Sequence, residues 1–133
     1  MKNLIFLLVA LSIVFGGTVF AAEKELKIFI WSEYMDEENM PKDFEKATGI
    51  KVRLDLYESN EDMMAKLQAG GVSQYDLIVP SDYIMPSLIN LKLIQPLDHS
   101  KLPNLKNVMP KFRGLYFDPD NKYTVPYQWG TMA

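Results

Sequence analysis

Three short apolar runs, over residues 26–31, 50–56 and 76–79, are held apart by two segments that each carry helix start and stop signals. The first run reads as a buried strand. In the second, Ile50, Val52, Leu54 and Leu56 alternate with Lys51, Arg53 and Asp55, the period of two that means strand. Between them, Asp36, Glu37 and Glu38 crowd acids where a helix dipole favours them, Pro41 suits a first turn, and Gly49 supplies a stop. Met40, Phe44 and Ala47 give that helix one apolar face. Ser59, followed three residues on by Asp62, approximates a capping box; Met63, Met64 and Leu67 form the buried stripe, and Gly70-Gly71 ends the helix. A further helix is expected over 83–91, then a proline-punctuated loop region over 94–120 and an extended segment over 123–129. Strand, helix, strand, helix, strand is the order of right-handed parallel crossovers. The fold class is therefore α/β, a mainly parallel sheet flanked by helices.

Ahead of this pattern stands a different kind of segment. Lys2 gives a positive start, residues 4–15 are almost unbroken apolar, Gly16-Gly17 interrupts, and Val19-Phe20-Ala21 offers the small residues a signal peptidase reads. The run falls short of the ~20 apolar residues that span a bilayer. Residues 1–21 therefore read as a signal peptide cleaved after Ala21, and the rest as a protein exported to the periplasm. The absence of cysteine excludes disulfides, thiol chemistry and a lipid anchor on an N-terminal cysteine. Fourteen basic against 17 acidic side chains, a net charge of −3, argue weakly against a nucleic-acid partner. His99 is the sole histidine and no Gly-x-Ser-x-Gly elbow exists, so no nucleophile with an orienting base can be assembled. The expectation is a binding protein rather than an enzyme, without cofactor or metal, with Met63 and Met64 in the core.

Two strand ends carry the chemistry. The first apolar run finishes in Trp31-Ser32-Glu33-Tyr34 and the third in Pro80-Ser81-Asp82-Tyr83. In open α/β sheets, ligands sit in the crevice beyond the carboxyl ends of the strands. Ring faces, hydroxyls and carboxylates converging there suit a small organic cation, through cation–π contact and charge-assisted hydrogen bonds. An anion would call for backbone amides and arginine, where this chain places Glu33 and Asp82 instead. Glu58 beside its capping serine reads as serving a helix, and Tyr127 and Trp129 as hinge or interface packing.

Seven stretches in order make a wider match: residues 30–34 (Ile-Trp-Ser-Glu-Tyr), 48–52 (Thr-Gly-Ile-Lys-Val), 57–61 (Tyr-Glu-Ser-Asn-Glu), 75–81 (Tyr-Asp-Leu-Ile-Val-Pro-Ser), 94–98 (Ile-Gln-Pro-Leu-Asp), 117–121 (Phe-Asp-Pro-Asp-Asn) and 126–130 (Pro-Tyr-Gln-Trp-Gly). Together they resemble the spermidine/putrescine-binding periplasmic proteins of ABC importers, along essentially all of residues 26–133. The resemblance implies a type II periplasmic-binding-protein fold of two lobes that close on a ligand, and membrane permease subunits as partners. It also implies a polyamine slot in which Trp31 and Tyr34 stack on the ligand, Ser32 and Glu33 bind an amine end, and Ser81 and Tyr83 close the same side. Asp82 departs from the pattern, which has a small neutral residue there, and stands either as a ligand group or as a helix cap. Family members are much longer. By resemblance, residues 22–133 are the first segment of lobe one, cut at the crossover to lobe two, with 126–133 as that crossover. Two other readings stay open: a binding protein for another small amine or organic solute, and a truncated remnant without independent binding.

Overall fold

The computed structural model describes residues 24–130. The expected signal peptide and the last three residues of the expected crossover lie outside them. Three parallel strands, β1 (Glu25–Trp31), β2 (Lys51–Tyr57) and β3 (Leu77–Val79), form a sheet in the order β2-β1-β3, with β1 in the centre. Helix α1 (Asn39–Thr48) joins β1 to β2, and α2 (Asn60–Gln68) with a 3-10 turn joins β2 to β3. Where a continuous helix is expected over 83–91, a 3-10 turn at Asp82–Ile84 leads into a short α3 (Met85–Asn90), with Pro86 in the first turn of α3.

The local signals act as their chemistry dictates. Asp36 Oδ1 accepts the backbone N–H groups of Glu38 and Asn39, at 3.1 and 2.9 Å, holding the entry to α1. Gly49, at φ 71°, closes α1 through its N–H to the Glu45 carbonyl. Ser59 Oγ accepts from the Asp62 N–H at 3.1 Å, the expected cap of α2. Glycine at 71 is required by close approach, because a Cβ there would sit 2.5 Å from the Lys66 carbonyl oxygen.

Register decides which side chains share a face. Phe29 lies beside Asp55 and Ile78, and Trp31 beside Tyr57, so these point to one side of the sheet. On that side α2 and α3 cover the sheet, and Phe29, Tyr57, Met63, Leu67, Ile84, Met85 and Leu88 form the core. Phe29 stacks on Tyr75 at 4.5 Å and meets the edge of Tyr57 at 5.0 Å. The opposite side is thinner. Ile28 and Ile30 are buried, but Leu56 and Leu77 stay exposed, as do Met40 and Phe44 on the apolar face of α1. The reason is position: α1 rests on β2, an edge strand, so much of its apolar face looks past the sheet.

From Leu91 to Gly130 the chain is turns, 3-10 segments and irregular backbone, with one isolated bridge between Leu115 and Asp118. The stretch 123–129, expected to be extended, forms no strand. Buried Asp118 organises it: Oδ1 accepts from the Lys122 N–H, and Oδ2 from the N–H groups of Tyr123 and Thr124 and from the Thr124 hydroxyl, at 2.8–2.9 Å. His99 bonds the Asn121 carbonyl at 2.7 Å, a structural contact.

Two outcomes follow from this packing. Leu88 is fully buried in the core, so Leu88→Ala should lower unfolding free energy by about 2–5 kcal/mol in denaturant titration. A loss below about 1 kcal/mol would contradict a core centred there. The second concerns Asp55, whose carboxyl is held below its ordinary 3.8 chiefly by the Tyr75 hydroxyl at 2.6 Å; burial opposes this, and Lys66 and Arg53 add smaller lowering effects. The folded carboxyl therefore binds its proton more weakly than the unfolded one. Its stabilising share is complete above 3.8 and is lost as pH falls through the lower folded value. Asp36 and Asp98 are held low as well, by Asn39 and Ser100, so the parent protein alone does not isolate Asp55. Asp55→Asn should destabilise at neutral pH and narrow its gap to the parent at about pH 3, read from urea midpoints. A gap independent of pH would remove Asp55 from the acid response.

Candidate functional site

All three strands end at the same edge of the sheet, and each exit is built differently. At the end of β1 the chain turns at once: the Tyr34 N–H reaches the Trp31 carbonyl at 3.4 Å, and Glu33 sits at φ 64°, a conformation seldom adopted by residues other than glycine. That turn exposes Glu33 and folds Tyr34 back, so its ring lies 6.0 Å from Trp31 at 25°, a stacked pair. The other flank of Trp31 packs on Tyr57, 5.0 Å away. Only part of the indole is left for a ligand.

The end of β2 supplies the scaffold. The Tyr57 hydroxyl donates to the Val79 carbonyl at 2.6 Å, tying the ends of the two edge strands together beside the central one. Burial pushes the Tyr57 phenol far above its ordinary value, so it remains a donor. Asn60 is fully buried and accepts the Ser81 N–H on Oδ1 at 3.3 Å, fixing the turn after β3. Glu58 departs from the expected helix-serving role: its Oε1 accepts the Ser32 hydroxyl at 2.5 Å. Glu61 accepts the Tyr83 hydroxyl at 3.1 Å.

The end of β3 presents Ser81, Asp82 and Tyr83. Ser81 makes no side-chain cap to the 3-10 turn that follows, while Asp82 opens that turn and is exposed. Tyr83 is more than half exposed, at 54%, so its ring face is available even with its hydroxyl engaged. Two further contacts come from far along the chain: Tyr127 Oη and Gln128 Nε2 both donate to the Tyr34 carbonyl, at 3.0 and 2.9 Å.

Trp31, which closes β1, and Ser32, Glu33, Tyr34, Ser81, Asp82 and Tyr83, which follow the ends of β1 and β3, therefore all lie at one edge of the sheet. Sequence reasoning noted that Tyr57 and Glu58 stand at a strand end but read Glu58 as serving its helix, and it gave Tyr57, Asn60 and Glu61 no part in the site, although they connect these residues. The available signal was position, since Tyr57 closes β2 and the other three follow it. Among the described residues, the buried side-chain polar atoms without a hydrogen-bond partner are Trp31 Nε1 and Asn60 Nδ2, both in this cluster. An open depression elsewhere, lined by Lys27, Arg53, Asp55 and Tyr75, has its charges already engaged with one another: Asp55 meets Arg53, Lys66 and Tyr75, and Lys27 meets Glu25. Exposed rings and carboxylates distinguish the strand-end cluster as a surface suited to a small cationic solute.

Comparison with known proteins agrees with this geometry. The putrescine-binding periplasmic protein PotF of Escherichia coli is 44% identical over 126 residues, covering 93% of this chain and 34% of its own length. A spermidine/putrescine-binding periplasmic protein of Salmonella typhimurium is 44% identical over 108 residues, covering 81% of this chain and 31% of its own. Among solved structures, the substrate-binding protein PotD of a Streptococcus pneumoniae spermidine/putrescine ABC transporter superposes with a TM-score of 0.74 at 36% identity, covering 78% of this chain and 32% of that one. The expected periplasmic-binding-protein lobe is thus the fold observed. The chain spans about a third of the length of the curated relatives it matches. The family described as bacterial extracellular solute-binding protein matches residues 39–133, and to that family the chain belongs.

Proposed function

We propose that this protein is the periplasmic solute-binding subunit of a polyamine ABC importer, holding putrescine or spermidine and delivering it to membrane permease subunits. The observation that carries the reading is the strand-end cluster itself. The stacked Trp31–Tyr34 pair and the exposed Tyr83 ring offer apolar and π surface to a methylene chain, and Glu33 stands exposed beside them to meet an ammonium group. The printed functions of the relatives support the same ligand class. Ser32, Ser81 and Asp82 complete this wall as polar contacts. The segment from Pro126 onward, fastened to the Tyr34 carbonyl through Tyr127 and Gln128, is the crossover towards a second lobe that supplies the opposite wall.

The ligand then binds by burial of its methylenes against rings and by pairing of its charges. No covalent step is needed. Glu33 would act through its charge, so the interaction should weaken with added salt, over the ~8 Å screening length of physiological ionic strength. Trp31→Ala removes both a cation–π face and apolar area, and should weaken putrescine or spermidine binding by about 1–3 kcal/mol. Calorimetric titration of the protein expressed from its full reading frame checks this. Unchanged affinity in the variant would take Trp31 out of the site, and a parent that binds neither polyamine would refute the function.

A further inference from the structure

We infer that Glu58 and Glu61 are positioning residues that set the hydrogen-bonding polarity of the site and so its selectivity for amines. This rests on the polyamine reading and adds a mechanism of discrimination to it. A hydroxyl carries one proton and two lone pairs, whereas an ionised carboxylate only accepts. Ser32 Oγ spends its proton on Glu58 Oε1 at 2.5 Å, and Tyr83 spends its proton on Glu61 Oε1 at 3.1 Å. Each oxygen is left with lone pairs alone to offer a ligand. A group bound there must donate, and an ammonium donates most strongly because its bonds are charge-assisted.

The placement of the two glutamates supports this division of labour. Glu58 follows the end of β2 and Glu61 lies in the first turn of α2, the two flanking Ser59, the cap of α2, and Asn60, which is fully buried. Ser32 leaves β1 and Tyr83 follows β3, so each glutamate reaches from the β2–α2 junction to a hydroxyl supplied by another strand end. Without the carboxylates, either hydroxyl can rotate its proton towards the ligand and act as a donor as well as an acceptor. A ligand bearing a neutral or acceptor group would then be tolerated as well as an amine. Glu58 and Glu61 act through Ser32 and Tyr83, whereas Glu33 meets the solute directly.

The test is selectivity rather than affinity. Putrescine and 4-amino-1-butanol share a chain length and differ at one end, amine against hydroxyl. Calorimetry on the protein expressed from its full reading frame gives the ratio of the two affinities, and thermal melting confirms that each variant is folded. Glu58→Gln and Glu61→Gln, whose amides can donate as well as accept, should each shrink the amine preference by about tenfold. In a Ser32→Ala background the effect of Glu58→Gln on that ratio should vanish, and likewise Glu61→Gln in a Tyr83→Phe background. A ratio unchanged in the single variants, or an effect that persists without the hydroxyl, overturns the inference while leaving polyamine binding intact. A parent that binds no amine overturns the function and this mechanism together.

Discussion

The hydrogen bond from the Tyr57 hydroxyl to the Val79 carbonyl is the contact on which the site's geometry depends. Tyr57 closes β2 and Val79 closes β3, the two edges of the sheet, and β1 runs between them. The bond therefore gathers three strand ends into one fixed edge. The same ring supports Trp31 from one flank and meets Phe29 at its own edge, so the packing of the core and the posture of the ligand platform are set by one residue. Burial makes ionisation of the phenol costly, which keeps the donor in place. Asn60 extends the arrangement by holding the Ser81 amide, placing the β3 loop relative to the end of β2.

Much of this was legible in the sequence where the controlling physics is local. The Ser59 cap, the Gly49 stop and the Gly70-Gly71 terminus each depend on a few neighbouring residues, and the structure shows all three. Burial was harder to read, because it depends on what lies across the sheet. Alternation in β2 identified a strand, yet Leu56 on its apolar face is exposed while Tyr57 on the other face is buried. Met40 and Phe44 share a face of α1 yet stay exposed, since a helix resting on an edge strand covers little. The stretch 123–129 had extended composition, but Asp118 gathers the backbone amides of residues 122–124 onto one carboxylate. A strand ladder cannot use amides already spent.

The site divides along the same line. Residues placed by the end of a strand could be named from pattern alone: Trp31, Glu33 and Tyr83 lie at or just beyond the ends of β1 and β3. Residues that matter through a partner could not. Glu58 looked like an accessory of its own helix because the nearest capping serine is its neighbour, whereas its hydrogen bond goes to Ser32, 26 residues earlier. Glu61 bonds Tyr83, 22 residues later. Nothing in local composition ranks such partners above a nearer one. The topology does, once β1 is known to be central.

Preorganisation connects these observations to binding. A loop that must be ordered by its ligand loses affinity to the entropy of ordering, roughly 0.5–1.5 kcal/mol for each side chain immobilised. Here the β1 loop is held by contacts within the chain itself. Its Tyr34 carbonyl takes two donors from Tyr127 and Gln128, its Ser32 hydroxyl is fixed by Glu58, and its Glu33 amide donates to Glu37 at 3.3 Å. Glu33 adopts a left-handed backbone because every flanking residue is anchored, and that conformation leaves its side chain exposed at the mouth. The anchors come from opposite ends of the described chain, so the loop's shape follows from the whole fold rather than from its own four residues. A short motif can mark where such a site lies, but the posture of its side chains is set by residues many positions away.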